Sequence, residues 1–457
     1  MDFVYVLLTA LLVVAAAAMI LKKVDSKLVF LFLGVVGLLV ATFVNGASVL
    51  GSSTTGSVWL DVFDVVRSKF VSTIGGTGIR LMMIGGYVML MNHVKAADVL
   101  ANFAGRGLSK LRNPYVVLAL VYIVGAVLKI FITSQIALGL LFMATMYPIL
   151  TKLGVSKVSC AAVIVSIGAL DLGPNDSTTI FGASDIMNTT PMEFFMDYEI
   201  IVGPAVILAV AVFYALYFRY MDRKEFGGLV VPQDQGSEEA GELGVPKFYG
   251  IFPLIPLTLV VVFSFIDSVN MDVITAHVIC YFLFFIVDLI VKKDMSVLMD
   301  NLKRLWVWMG DYFHKIIVLI SAAGVFAEAI KQLKGIDVLA NWCAHLTGAA
   351  LIAAVALSLI VFGTAILTGS GNAPWYAFGP LAPGIAETLS APTALLVVPM
   401  HLAGGLGRCF SPFCGGMIAV SGMAELDTST VCKRNILPMT FGYIVTIIAS
   451  YIVFAVL

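Results

Sequence analysis

Apolar residues run through this chain in long windows separated by short polar stretches. In the first half the windows fall at about 3–21, 28–46, 78–94, 114–132, 135–151, 158–170, 178–187 and 200–218. A polar stretch at 222–247 follows, containing paired glycines, glutamines and glutamates. The windows resume at about 248–266, 272–291, 314–330, 349–367, 374–388, 393–406, 410–424 and 436–457. Roughly 20 apolar helical residues span a bilayer core. Several windows reach that length and others fall well short. Two stretches, 346–386 and 436–457, contain no Asp, Glu, Lys, Arg or His. The first is long enough to enter a membrane twice. The pattern predicts an all-α polytopic membrane protein in which some helices cross fully and others turn back or break.

The features also recur in order. Asp98-Val99-Leu100-Ala101-Asn102-Phe103 returns as Asp337-Val338-Leu339-Ala340-Asn341-Trp342. Downstream, Thr133-Ser134-Gln135 corresponds to Thr368-Gly369-Ser370-Gly371-Asn372. A Pro-containing apolar segment follows each, then a glycine-interrupted one. This order reads as an internal duplication: a first repeat at 1–221, a linker at 222–247 and a second repeat at 248–457. Lys and Arg concentrate on cytoplasmic loops. Lys22, Lys23 and Lys27, then Lys95 to Arg112, then Arg219, Arg223 and Lys224, and then Lys292 to Arg304 lie inside by this rule. The linker is then cytoplasmic and both termini are periplasmic. The two copies run in opposite senses, as inverted-topology repeats do; Lys331 and Lys334 fall outside under the same scheme.

Membrane-embedded backbone must be hydrogen-bonded, so an unwound stretch survives only where it lines a cavity or is buried in protein. Four such stretches are expected. Re-entrant hairpins at about 114–152 and 349–388 carry polar tips at Thr133, Ser134 and Gln135 and at Thr368, Gly369, Ser370, Gly371 and Asn372. Broken helices at about 158–187 and 393–424 are interrupted at Gly173 to Thr178 and at His401 to Arg408. The second hairpin arms begin at the tips, so their positive dipole ends suit an anion. Arg408 is a functional candidate because an embedded arginine is costly and its fork binds carboxylates. Asp171 and Asp176 flank the first break, and Lys129 lies in an apolar arm. These charges either pair with one another or leave the aspartates, with His401, to bind a coupling Na⁺ or H⁺. Asn175 completes the candidate substrate contacts.

Composition narrows the choice. The chain has 457 residues, 60% of them hydrophobic and 12% charged, with a net charge of −1. That balance offers nothing to nucleic acid. Positive charge follows the first apolar run instead of preceding it, so this run reads as a retained helix and not as a signal peptide. The six cysteines, at 160, 280, 343, 409, 414 and 432, form no CxxC and mostly sit in apolar stretches as small hydrophobes. Without an HExxH or a convincing Ser/Lys dyad, an intramembrane enzyme is not the reading, and neither a cofactor nor a metal site is expected.

Four stretches carry a family resemblance: Leu138 to Pro148, Arg219 to Glu225, Thr368 to Phe378 and Leu406 to Pro412. They resemble the anaerobic C4-dicarboxylate transporter family of the DcuC type, within the wider ion transporter superfamily. The resemblance implies transport of fumarate, malate, succinate or aspartate across a bacterial inner membrane. It also implies a two-hairpin fold, often a dimer, that moves in an elevator-like way. Lys129, Asp171, Asn175 and Asp176 depart from the expected family pattern, and an ammonium-bearing substrate would find a carboxylate there. An amino-acid carrier is therefore the alternative.

Overall fold

Helix formation follows the apolar windows, but two helices begin well before them. The computed structural model describes residues 2–22, 24–100, 103, 113–229, 244–264, 271–335, 338 and 348–456, all of them helix or connection and none of them strand. The helix expected from 78 starts at Val58 and runs to His93, with a π-turn at Ile74–Gly78. The one expected from 314 starts at Met295 and runs to Gln332, with a π-turn at Phe313–Ile317. Their leading turns carry charges that read as loop in the sequence. In the fold these charges lie along helices, where residues three or four apart are neighbours: Arg67 pairs with Asp64 at 2.6 Å and Arg304 with Asp300 at 2.6 Å. Asp61 is buried and holds back the preceding loop, accepting from Ser48 (2.5 Å), Thr54 (2.6 Å) and Thr55 (2.6 Å).

Among the described residues, eight helices are long and apolar enough to cross a membrane. One series of elements occurs twice. Two helices (Asp2–Leu21 and Ser26–Asn45; Ile255–Ser264 and Val273–Lys292) lead to a long helix with a π-turn. A helix–turn–helix follows (Pro114–Lys129 with Gln135–Thr145; Ala349–Thr368 with Asn372–Phe378). Then comes an interrupted helix, and then a closing helix, Pro191–Phe226 or Thr428–Val456. Ala101, Asn102, Asp337 and residues 339–342 of the duplicated sequence motif lie outside the described residues, as do Lys23, Arg106, Lys110, Arg112 and Cys343.

Packing separates two groups of helices. In the first, Ser26–Asn45 lies along Val318–Gln332, and Val273–Lys292 lies along Ile79–His93, so each half covers the long helix of the other. Gly34 allows this approach, since a Cβ there would stand 2.9 Å from the backbone nitrogen of Phe326. In the second group, Pro114–Lys129, Lys157–Ser166 and Thr428–Tyr451 pack around Ile200–Phe226, and Thr393–Arg408 packs in turn on Thr428–Tyr451. A buried Asp222 joins four of these segments. It accepts from Tyr115 (3.2 Å), Ser156 Oγ (2.7 Å) and Ser159 Oγ (2.7 Å) and pairs with Arg434 at 3.4 Å. The linker expected from 222 therefore begins later, after a helix end at Phe226 capped by left-handed Gly227; residues 230–243 of it lie outside the described residues.

The second interrupted helix corrects an expectation. His401 to Arg408 do not form a break: the helix Thr393–Arg408 is continuous, and the interruption is the turn at 409–414 before Gly415–Met423. The glycines serve close approach. A Cβ at Gly404 would stand 2.6 Å from the Gly371 carbonyl oxygen, at Gly405 2.2 Å from that of Ala169, and at Gly407 2.5 Å from that of Phe362. Glycine here lets three other backbones touch one helix.

This packing separates two Gly→Ala changes. Gly405→Ala drives a methyl into a backbone carbonyl and is expected to cost about 1–3 kcal/mol, the usual range for overpacking. Gly363 has no neighbouring atom within 4 Å, so Gly363→Ala should be neutral or stabilising. Thermal unfolding midpoints of the purified variants in detergent check this; equal midpoints would contradict the packing argument.

Candidate functional site

Four chain interruptions meet in one place. The first hairpin arm ends at Lys129, and Ser134 caps the second arm by accepting from the Ala137 amide at 3.3 Å. In the other hairpin, Gly369 takes the left-handed conformation (φ 75°) that ends Ala349–Thr368. Between Lys157–Ser166 and Ser177–Phe181 the chain is unwound, and Asp176 caps the latter helix through the Thr178 amide at 3.0 Å. Arg408 is the last residue of its helix.

The unwound stretch delivers two carboxylates to two cations. Lys129 is fully buried, with its Nζ 2.9 Å from Asp171 Oδ1 and 2.7 Å from Asp176 Oδ2. Arg408 donates through NH2 to Asp171 Oδ1 at 2.6 Å and to the Gly168 carbonyl at 2.7 Å. Its NH1 donates to Asn372 Oδ1 at 3.2 Å. Two cations thus face two carboxylates. A lone buried charge is very expensive, and a pair is tolerated only when its remaining hydrogen bonds are also made. Asn372 extends the network, donating to Ser177 Oγ and to the Tyr376 hydroxyl, both at 3.3 Å.

A cavity of about 170 Å³ opens on this cluster. Its polar wall comprises Thr133, Ser134, Gln135, Asp171, Asn175, Asp176, Ser177, Asn372 and Arg408. Its other wall is Leu81, Ile84, Tyr312 and Ile316, from the two long π-turn helices. The cavity therefore lies between the two packing groups. Gln135 is held by its amide, which donates to the Val165 carbonyl at 3.2 Å and to Cys409 Sγ at 3.3 Å. Thr368 and Ser370 do not line this cavity. They line a separate cavity of about 400 Å³ shared with Asp25 and Lys27. Gly369 backs onto the Phe413–Cys414 peptide, and Gly371 onto Gly404.

His401 stands behind the cavity wall. Its Nε2 is 2.9 Å from Thr178 Oγ1 and its Nδ1 is 3.5 Å from Glu199 Oε1. Glu199 is fully buried and accepts from Thr179 Oγ1 at 2.5 Å and from the Gly173 amide at 2.8 Å. Sequence reasoning left out Glu199 and Tyr312, and took Thr178 only as the end of the first break. Glu199 directly precedes the window at 200–218 and reads as loop, whereas the helical segment starts at Pro191. Among the described residues five cysteines are free and buried, and Lys69 pairs with Glu328 at 3.0 Å.

Comparison with known proteins agrees with this architecture. Residues 1–455 match the family model for the C4-dicarboxylate anaerobic carrier. The chain is 29% identical over 452 residues to the anaerobic C4-dicarboxylate transporter DcuC of Escherichia coli O6:H1, covering 98% of this chain and 97% of that one. It is 30% identical over 426 residues to a probable DcuC of Vibrio cholerae, covering 91% and 90%. In fold it is similar to Neisseria gonorrhoeae MtrF, of a class of antimetabolite efflux pumps, with TM-score 0.64, 12% identity and coverage of 96% and 97%. The Alcanivorax borkumensis YdaH transporter gives TM-score 0.54 at 11% identity, covering 93% and 98%. The chain belongs to the C4-dicarboxylate anaerobic carrier family and is a multi-pass membrane protein.

The charge cluster predicts a compensation. Lys129→Met leaves two buried aspartates to one arginine and is expected to destabilise by about 3–5 kcal/mol, as breaking a buried pair does. Adding Asp176→Asn removes the surplus charge and should restore much of the loss. Additive losses in the thermal midpoint of the double variant would contradict the pairing.

Proposed function

We propose that this chain is a secondary transporter of small dicarboxylates, such as fumarate, malate, succinate or aspartate, across a bacterial inner membrane. The observation that carries the reading is Arg408, buried at a cavity that both hairpin tips approach. The cavity suits a small metabolite, since drug-sized ligands need roughly 300–1,000 Å³. Arg408 and Asn372 take one substrate carboxylate, which competes with Asp171 for the guanidinium. Thr133, Ser134, Gln135 and Asn175 face the other end. The family's carriers are named for C4-dicarboxylates, and membership supports the same class here. On this reading the chain is a carrier and not an enzyme.

Alternating access follows from the repeated series of elements, taken as inverted copies with re-entrant hairpins. The helices packed around Ile200–Phe226 move, elevator-like, against the two long π-turn helices, in a homodimer whose linker is cytoplasmic and whose termini are periplasmic. Transport is driven by Na⁺, by H⁺ or by exchange for a second dicarboxylate. Asp171 and Asp176 already hold Lys129 and Arg408, which gives an added cation little free carboxylate at those two residues. A second reading, an amino-acid carrier, draws on the same pair: both aspartates line the cavity, and a substrate ammonium would have to displace Lys129 or Arg408 from one of them.

Uptake of radiolabelled succinate or fumarate into proteoliposomes tests the reading. Arg408→Ala should lower it about tenfold to 100-fold, the equivalent of losing a hydrogen bond to a charged group worth about 1.5–3 kcal/mol. Full transport in Arg408→Ala would remove the carboxylate role. Competition by zwitterions but not by succinate would favour the amino-acid reading, and the absence of saturable uptake or exchange would refute the dicarboxylate one.

A further inference from the structure

The hydrogen bonds around His401 fix where its protons lie. Asp176 is held by Lys129 at 2.7 Å, so it is an acceptor. Thr178 has a single hydroxyl proton, and Asp176 Oδ1 takes it at 2.8 Å. The Thr178 oxygen is then left to accept, and the donor 2.9 Å away is His401 Nε2–H. In a neutral ring, Nδ1 is therefore a bare lone pair. It points at Glu199 Oε1 from 3.5 Å, and it is a buried polar atom with no hydrogen-bond partner among the described residues. A carboxylate oxygen and an imidazole lone pair repel. One further proton between them satisfies both atoms, whether it resides on Glu199 or on Nδ1.

The surrounding charges give the same count. The ionisable groups facing the pair are Asp171 and Asp176 from the unwound stretch, Lys129 from the first hairpin and Arg408 from the helix of His401. The two cations are matched by the two aspartates. Glu199 is the third carboxylate, and its other contacts, Thr179 and the Gly173 amide, are neutral donors. Both side chains are closed off: Trp375 and Phe194 flank the His401 ring at centroid distances of 5.3 and 5.9 Å, and Trp375 Nε1 donates to the Thr178 carbonyl at 3.1 Å. A buried, unmatched carboxylate is strongly disfavoured. With the extra proton the cluster is neutral as a whole; without it the cluster carries one negative charge.

We infer that Glu199 and His401 together form a one-proton site, joined through Thr178 and Asp176 to the substrate cavity, and that this site makes uptake proton-coupled. The inference rests on the dicarboxylate reading for its sign. A dianion beside Arg408 adds negative charge to the cluster and raises the affinity of the pair for its proton; by reciprocity, the bound proton favours the dianion. The coupling role expected of Asp171, Asp176 and His401 then narrows to His401 with Glu199, the aspartates serving as the fixed counter-charges.

Succinate uptake into proteoliposomes, with the membrane potential clamped at zero by valinomycin and K⁺, tests this. A single coupled proton gives about tenfold accumulation for a one-unit inward acid gradient. Wild type is expected to show that accumulation. Glu199→Gln supplies an amide that can donate to Nδ1, and it should equilibrate succinate without accumulating it, while counterflow persists within about tenfold of wild type. Persistence of counterflow shows that the variant is folded. Gradient-driven accumulation in Glu199→Gln equal to that of wild type would overturn the inference, as would wild-type counterflow with no response to the gradient. Infrared difference spectra of the purified protein between acid and alkaline pH decide the site without any substrate. A one-proton change on glutamate or imidazole should appear in wild type and be missing from both Glu199→Gln and His401→Gln; its survival in both variants would overturn the inference. Failure of wild type to move succinate at all, with the infrared signal intact, would strike the dicarboxylate reading and leave the proton site supported.

Discussion

Two buried cations and two buried aspartates organise this protein. Lys129 ends a hairpin arm, Asp171 and Asp176 belong to an unwound stretch, and Arg408 ends a helix of the other half. None of these charges is tolerable alone in a low-dielectric interior. Each becomes tolerable only when the segments carrying the others are in place. The cluster therefore requires both halves to fold against each other before either polar segment is stable. It also explains how unwound backbone persists inside a membrane-type protein: the Gly168 carbonyl is satisfied by Arg408 and the Gly173 amide by Glu199, so the break is hydrogen-bonded to side chains in place of its own helix.

That arrangement needs very close backbone approach, and the glycines of Thr393–Arg408 supply it. Gly404 admits the second hairpin tip, Gly405 the unwound stretch, and Gly407 the first arm of the second hairpin. The helix thus works as a smooth rail that sets the distance from Arg408 to Asp171 and Asn372. A helix with ordinary side chains at these positions would hold the segments apart and leave the guanidinium without its partners. Sequence reading takes such a run of glycines for a break, because glycine disfavours helix in isolation. Tertiary contact reverses that preference here.

What was legible in the sequence follows from this physics. Apolar windows reveal helices whose flanks are uniformly buried or lipid-facing, and most windows correspond to helices. They conceal amphipathic turns, so Val58–Thr73 and Met295–Tyr312 read as loops although Asp61, Asp64 and Arg304 are tied up locally. Arg408 and Lys129 stand out because charge in an apolar run must have a purpose, but their partners lie 237 and 42–47 residues away and no spacing rule reaches that far. Thr368 and Ser370 look equivalent to Asn372 in a polar tip, yet the turn at left-handed Gly369 sends them to a different cavity. Glu199 was hidden because an acid beside an apolar window looks like a helix end at the membrane surface; only the fold shows that it faces His401.

The cavity is unlike on its two sides, and that difference bears on how a polar cluster could move. The charges and all the hydroxyls but that of Tyr312 belong to the hairpins, the unwound stretch and the Arg408 helix, whereas Leu81, Ile84 and Ile316 make the facing wall largely apolar. Among the described contacts that join the two groups, Thr77 donates to Asp185 at 2.5 Å and Arg80 to Ser184 at 2.8 Å. Hydrogen bonds of this kind are worth about 0.5–3 kcal/mol net, because water replaces them when they open. Sliding one group past the other therefore exchanges these hydrogen bonds for water and shifts Asn372–Phe378 along Val318–Gln332, provided that the cluster stays intact and close to neutral. An unmatched charge would change this balance, since dragging it along an apolar wall costs far more than those contacts. Internal pairing of Lys129 and Arg408 with the aspartates, and of Glu199 with His401, is thus the condition under which the elevator-like movement proposed for this carrier has a low barrier.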